Sequence, residues 1–117
     1  MRYNDTENNI VLWEFHNGVR RQVKRSPPDY KLDRAAWHDL KMTVADADVK
    51  AWIDGTLALA YTLGSAPGPG RAGAAPNPDL VPANNPVLQP PVQGKVGLWS
   101  KTDSTSEFKD YVVSRAK

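Results

Sequence analysis

Apolar and polar residues alternate along much of the first 62 positions with a period of two, which predicts β-strands. The clearest case is the stretch 9–25, where two strand-like runs flank Asn17-Gly18. Asn-Gly is typical of a two-residue type I′ hairpin turn, because both central residues must adopt positive φ. The predicted register pairs His16 with Val19, Phe15 with Arg20, Glu14 with Arg21, Trp13 with Gln22, and Leu12 with Val23. Neither face of this hairpin is purely apolar, so the pattern leaves open which face packs inward.

A second group of strands is predicted after Pro27-Pro28 and a connecting segment. Residues 37–44 predict a half-buried strand, since apolar and polar positions alternate there. One side of this strand carries His38, Leu40, Met42 and Val44. A turn at 45–48 leads to residues 49–54, with Val49, Ala51 and Ile53 on one face and Lys50, Trp52 and Asp54 on the other. Asp54-Gly55 predicts another hairpin turn, into a strand at 56–63.

Residues 63–94 differ from the rest of the chain, because they hold eight of its ten prolines and five of its eight glycines. Such a long connection without periodicity is uncommon inside a compact domain. Three interpretations stay open: a disordered insertion, an ordered cover over a sheet face, or a linker between lobes. Runs at 95–101 and 107–114 are again strand-like. The sequence therefore predicts one all-β domain over 1–117, an antiparallel β-sandwich with a long Pro/Gly/Ala-rich loop at 63–94.

Composition narrows the classes of partner. The chain has 117 residues and a formal net charge of only +2, which gives little support to a nucleic-acid ligand. Its most basic stretch, 19–25, should divide Arg20, Gln22 and Lys24 from Arg21 and Arg25 by strand alternation. The absence of cysteine excludes disulfides and a thiol nucleophile. We expect a soluble protein without a membrane partner, because no run approaches the roughly 20 apolar residues of a membrane span. The first nine residues are too polar for a signal peptide, and the compartment stays unknown.

Several short motifs resemble those of one protein family. In chain order they are Arg-x-Asn at 2–4, Asn-Asn at 8–9, Asn-Gly at 17–18, Trp-His at 37–38, Ile-Asp-Gly at 53–55, and the run GKVGLWSKTDS at 94–104 followed by Phe-x-Asp at 108–110. This series resembles the concanavalin A-like lectin/glucanase superfamily, most of all its bacterial 3-keto-disaccharide hydrolase-like domain, formerly a domain of unknown function. The resemblance implies a jelly-roll sandwich and a carbohydrate ligand.

The chain departs from that family pattern in two places. The earlier strands that such domains carry before the Arg-x-Asn motif are missing ahead of Met1, and the insertion at 63–94 replaces a shorter connection. We therefore expect a partial sandwich whose exposed edges are completed by a second copy, as a homodimer. The alternative is that the long loop covers the gap.

Catalysis of glycosidic hydrolysis is not predicted. It requires two carboxylates on opposite sides of the bond, and the Glu-x-Asp-x-x-Glu motif of the superfamily's glucanases is absent. Glu107 and Asp110 are three positions apart, so a strand would point them to opposite faces. The sequence gives no catalytic residue. Calcium is a weaker prediction, because Asp103 and Asp110 alone fall far short of its six to eight oxygen ligands.

Sugar binding requires an aromatic platform with polar groups beside it. The candidate carbohydrate-binding residues are Trp52, Lys50, Lys101, Asp103, Arg2, Asn4 and Trp13. Trp52 is the platform, unless it packs beneath the loop or against a partner chain. Trp37, Trp99 and His38 are predicted to be interior instead.

Three functions follow as hypotheses. The first is a non-catalytic, lectin-like carbohydrate-binding module. The second is a glycoside hydrolase-like enzyme that acts on a 3-keto disaccharide with a site completed by a partner chain. The third is a structural module without a ligand.

Overall fold

The computed structural model describes residues 1–16, 18–27, 30–64, 93–101 and 104–115. These residues form six strands and no helix: β1 (Arg2–Asn4), β2 (Asn9–His16), β3 (Val19–Arg25), β4 (Leu40–Ala45), β5 (Asp48–Ile53) and β6 (Thr56–Thr62). They make two three-stranded antiparallel sheets, the first in the order β1-β2-β3 and the second in the order β4-β5-β6. The predicted all-β class is confirmed.

The first sheet is built on the predicted hairpin. Four of the five expected pairs between β2 and β3 are confirmed, but Leu12 pairs with Lys24 and not with Val23. A β-bulge between Leu12 and Trp13 shifts the register, because Val23 is an extra residue on β3. Gly18 has a φ of 78°, as the predicted turn requires, while Asn17 lies outside the described residues.

The second sheet is a meander of two tight hairpins. Asp54 and Gly55 both have positive φ, 48° and 79°, which confirms the predicted turn between β5 and β6. Asp46, with a φ of 51°, begins the turn between β4 and β5. Val49, Ala51 and Ile53 are buried on one face, as the alternation predicted.

The two sheets contribute to a single hydrophobic core. The first sheet supplies Ile10, Leu12 and Val23, and the second supplies Val49, Ala51, Ile53, Ala58, Leu59 and Tyr61, with Leu63 just beyond it. The connection after β3 bridges the sheets through Tyr30, whose hydroxyl donates to the Leu57 carbonyl at 3.3 Å. Its own carbonyl accepts from the Tyr3 hydroxyl at 2.9 Å. These bonds hold the connection against both sheets.

The predicted strand at 37–44 is shorter and more exposed than expected. β4 begins only at Leu40, and its apolar side chains Leu40, Met42 and Val44 are 51%, 43% and 36% exposed. They lie opposite Ile53, Ala51 and Val49, so they extend the buried face of the second sheet past the first sheet. The expected half-burial is wrong because nothing among the described residues covers this end of the face.

The strands predicted at 95–101 and 107–114 are also wrong for the described residues there. Residues 93–101 and 104–115 have no regular secondary structure and are exposed. Trp99 is 69% exposed and Trp37 is 55% exposed, so neither is the interior residue that the sequence predicted. Most of the predicted loop, residues 65–92, lies outside the described residues. Among the residues that are described, no helix is long and apolar enough to cross a membrane.

Candidate functional site

Trp52 lies on β5, on the face of the second sheet that points away from the core. Its partners in the register are Lys41 on β4 and Leu57 on β6. The indole is half-buried, and the Lys41 ammonium lies 5.0 Å from the ring centroid. A cation at this distance over the ring is attracted by its negative face. The predicted platform is therefore partly open to solvent and has a basic group beside it.

A depression adjoins this tryptophan. Its volume is about 380 Å³, and its lining is Asp39, Leu40, Lys41, Trp52 and Gly55. A carboxylate, an ammonium and an indole thus converge at one end of the second sheet. Lys50, two residues before Trp52, shares the outer face but lines a separate, smaller depression of about 180 Å³.

The rim of the larger depression is held by His38 and Asp54. The Nδ1 atom of His38 lies 2.8 Å from Oδ2 of Asp54, and its Nε2 lies 2.8 Å from the Asp33 carbonyl oxygen. A carbonyl can only accept, so Nε2 carries a proton, and the carboxylate favours a proton on Nδ1 as well. The other carboxylate oxygen of Asp54 accepts from the Asp39 backbone N–H at 2.9 Å.

These contacts shift both ionisable groups. The hydrogen bond to Asp54, and then that to the Asp33 carbonyl, raise the pKa of His38 above its ordinary value. The bond to His38, and then that from the Asp39 N–H, lower the pKa of Asp54. Both ring nitrogens of His38 are engaged in hydrogen bonds, Nδ1 with Asp54 and Nε2 with the Asp33 carbonyl, so while these bonds hold neither nitrogen is free to act as a general base. The predicted interior histidine is satisfied, as expected, but it is half-buried at the rim and not in the core.

A second cluster lies on the outer face of the first sheet. Two guanidinium groups lie over the Trp13 ring, with the Cζ atom of Arg20 at 4.7 Å and that of Arg2 at 5.4 Å from the ring centroid. Arg2 and Asn4 are the first and last residues of β1. The Asn4 carboxamide oxygen accepts from the backbone N–H groups of Thr6 and Glu7 at 3.0 and 3.3 Å. Asn4 therefore orders the turn into β2.

The remaining predicted residues are not brought to either tryptophan by the described contacts. Lys101 lies in the exposed segment after the undescribed region, where its carbonyl accepts from the Ser104 N–H at 2.9 Å. Asp103 lies outside the described residues. Asp110 is exposed, and the described residues include no cluster of three or more His, Cys, Asp or Glu side chains that could hold a metal ion.

Sequence reasoning missed the basic side chains that lie over the two tryptophan rings. Lys41 lies opposite Trp52 in the pairing of β4 with β5. The sequence contained this signal, because a two-residue turn at 46–47 pairs Ala45 with Asp48 and, four positions further, Lys41 with Trp52. Arg20 reaches Trp13 on the diagonal between neighbouring pairs, which the alternation of β2 and β3 also contains. The contact between His38 and Asp54 had no sequence signal, because it joins a residue before β4 to the turn after β5.

Comparison of the chain with family models, with curated proteins and with solved structures gave no match in any of the three.

Proposed function

We propose that this chain is a non-catalytic, lectin-like carbohydrate-binding module with a concanavalin A-like β-sandwich fold. The core formed jointly by the two antiparallel sheets supports a sandwich arrangement. The motif series at 2–4, 53–55 and 94–104 supports the superfamily. The sugar binds on the outer face of the second sheet, beside Trp52.

The depression at Trp52 carries this proposal. A sugar ring needs an apolar surface to stack on and a few polar groups that fix its hydroxyls. The half-buried indole offers the surface once the Lys41 ammonium, which lies over its ring, moves aside; Lys41 then donates hydrogen bonds to hydroxyls and Asp39 accepts them. A volume of about 380 Å³ suits a ligand of one or two sugar rings, since small-molecule sites measure roughly 300 to 1,000 Å³.

A glycan array tests the proposal, with Trp52→Ala and Trp37→Ala compared against the unchanged chain. The two tryptophans form a matched pair, because each carries a lysine ammonium over its ring, at 5.0 Å from Lys41 and 4.4 Å from Lys109. Trp52→Ala should abolish binding of the best glycan, whereas Trp37→Ala should leave it unchanged. Absence of binding to every glycan would favour the structural module instead, and equal loss in both variants would refute Trp52 as the site.

We also propose that the chain forms a homodimer. The exposed apolar side chains of β4 support this. Leu40, Met42 and Val44 continue the core face, and β4 is an edge strand with one side unpaired among the described residues. Such an edge is a template for another chain. Light scattering should find a dimer, and Met42→Lys should convert it to a monomer; a monomeric unchanged chain would refute the dimer without touching the sugar site.

A further inference from the structure

The outer face of the first sheet has a layer of basic side chains that the proposed sugar site does not use. Arg2 on β1 and Arg25 on β3 lie opposite Val11 of β2 in the register. Val11 is fully buried although it is not part of the core shared by the two sheets. The stems of long basic side chains can bury such a residue while their charged ends stay at the surface.

Two hydrogen-bond donors of this layer have no acceptor. The Nε atom of Arg2 and the Nε1 atom of Trp13 are buried, and no described residue accepts a hydrogen bond from them. Both groups can only donate. Buried donors in folded proteins are nearly always paired, so these two call for an acceptor; Asn9 Oδ1 is also buried without a partner, and it therefore accepts from neither of them. The donors belong to side chains in contact, since the Cζ atom of Arg2 lies 5.4 Å from the centroid of the Trp13 ring.

The charged groups on this face are mostly arginines, while the buried carboxylate of Glu14, next to Trp13 on β2, belongs to the opposite face of the strand and already has a partner. The Arg2 and Arg20 guanidiniums lie over the indole ring, and Arg25 lies on the same face of the sheet. The nearby carboxylate of Glu7 is already engaged, since it accepts from the Asn9 side chain at 3.0 Å and lies 3.9 Å from Arg25. Arg2 makes no ion pair with the described residues. The acceptor that suits this arrangement is therefore an anion, because a guanidinium prefers charged oxygens and holds them by two parallel bonds.

We propose that the cluster of Arg2, Trp13 and Arg20 is a binding site for an oxyanion, such as a sugar carboxylate or inorganic sulfate. The oxyanion accepts from Nε of Arg2 and from Nε1 of Trp13, and the Arg20 guanidinium adds positive charge beside the ring. Since both donor atoms are covered, the Arg2 side chain must lift from the indole before the oxyanion enters. Binding therefore changes the surroundings of the Trp13 indole N–H directly. The site is separate from Trp52 and does not depend on the sugar proposal.

The indole N–H resonances of the four tryptophans provide the test, with Trp13→Phe used to assign one of them. Sodium glucuronate and sodium sulfate are titrated at constant ionic strength, balanced with chloride, and methyl glucoside serves as the neutral sugar. We expect the Trp13 resonance to shift in a saturable way with one or both oxyanions and to ignore methyl glucoside. Saturation by glucuronate alone identifies a sugar acid, and saturation by sulfate as well identifies a general oxyanion site.

Matched variants separate a site from a general effect of charge. Arg2→Gln and Arg34→Gln change the net charge equally, but Arg34 is an exposed residue that pairs with Asp5 at 2.9 Å. Arg2→Gln should weaken the titration about tenfold or more, and Arg34→Gln should leave it unchanged. If Arg2→Gln does not fold, Arg2→Lys keeps the charge and the stem but loses the paired donors, and it should weaken binding as well. No saturable shift, an equal response to methyl glucoside, or equal weakening by Arg34→Gln would overturn the proposal.

Discussion

The Ser26 hydroxyl stabilises the end of the β2–β3 hairpin that lies away from its turn, and its removal should lower the stability of the fold. Ser26 is 3% exposed, and its Oγ accepts from the backbone N–H of Ile10 at 2.8 Å. The Ser26 N–H donates in turn to the Ile10 carbonyl at 2.8 Å. Ser26→Ala leaves the second bond in place and deprives the fully buried Ile10 N–H of its acceptor.

The magnitude follows from which partners are left behind. An unpaired buried donor costs about 1–3 kcal/mol. The Pro27 carbonyl, which accepts from the same hydroxyl at 3.0 Å, belongs to an exposed residue and turns to water at little cost. Loss of one hydroxyl leaves almost no cavity. We therefore expect the free energy of unfolding to fall by about 1–3 kcal/mol.

Urea denaturation followed by circular dichroism measures this loss, with Ser100→Ala as the matched control. Ser100 also donates from its hydroxyl, to Ser106 Oγ at 2.9 Å, but it is exposed. Its loss should change the free energy of unfolding by less than about 0.5 kcal/mol. Equal slopes of the transitions would show that the unfolded states are alike. If the two alanine variants are equally stable, the buried hydrogen bond does not hold the hairpin end.

The other two predictions concern pH and one turn. Because the folded pKa of His38 is raised, its bond to Asp54 stabilises the fold fully below about pH 6.5 and is lost as pH rises through the folded pKa. The lowered pKa of Asp54 makes its contribution present above about pH 4 and lost as pH falls through that folded pKa. In unfolding midpoints measured over a series of pH values, His38→Gln should reduce the loss of stability that the unchanged chain shows as pH rises above about 6.5. The same loss in both proteins would contradict this. Gly55→Ala should cost about 1–2 kcal/mol because of its φ of 79°, whereas Gly94→Ala, without positive φ or nearby atoms, should cost almost nothing; equal effects would contradict the strain argument.

The sequence was most informative where local chemistry alone decides the structure. Asp54-Gly55 and the alternation after it predicted the β5–β6 hairpin, and both residues have the required positive φ. It was least informative where burial depends on what lies opposite. The alternation of Leu40, Met42 and Val44 predicts an apolar face correctly, but no local pattern states whether another layer covers that face.

The candidate site was predictable to a similar degree. Trp52 was assigned to the outer face from the strand period alone. The depression beside it also needs Asp39 and the register of β4, which are set by the backbone bond from the Asp54 N–H to the Asp39 carbonyl at 2.9 Å. Trp13 could not be assigned to a face from the sequence, because both faces of its hairpin mix polar and apolar residues.

The bulge at Val23 has a consequence for how this protein could change in evolution. Gln22 and Arg25 are three positions apart, and a regular strand without a bulge would point them to opposite faces. The extra residue brings them to the same face, where Nη2 of Arg25 donates to Oε1 of Gln22 at 3.0 Å. Deletion of Val23 would make the ladder regular: Arg25 would stay opposite Val11 on the face of Gln22, and Lys24 alone would lie opposite the core residue Leu12. A homologous chain one residue shorter here should therefore keep the arginine on the outer face and carry an apolar side chain in place of Lys24, which would take over the contact that Val23 makes with the core.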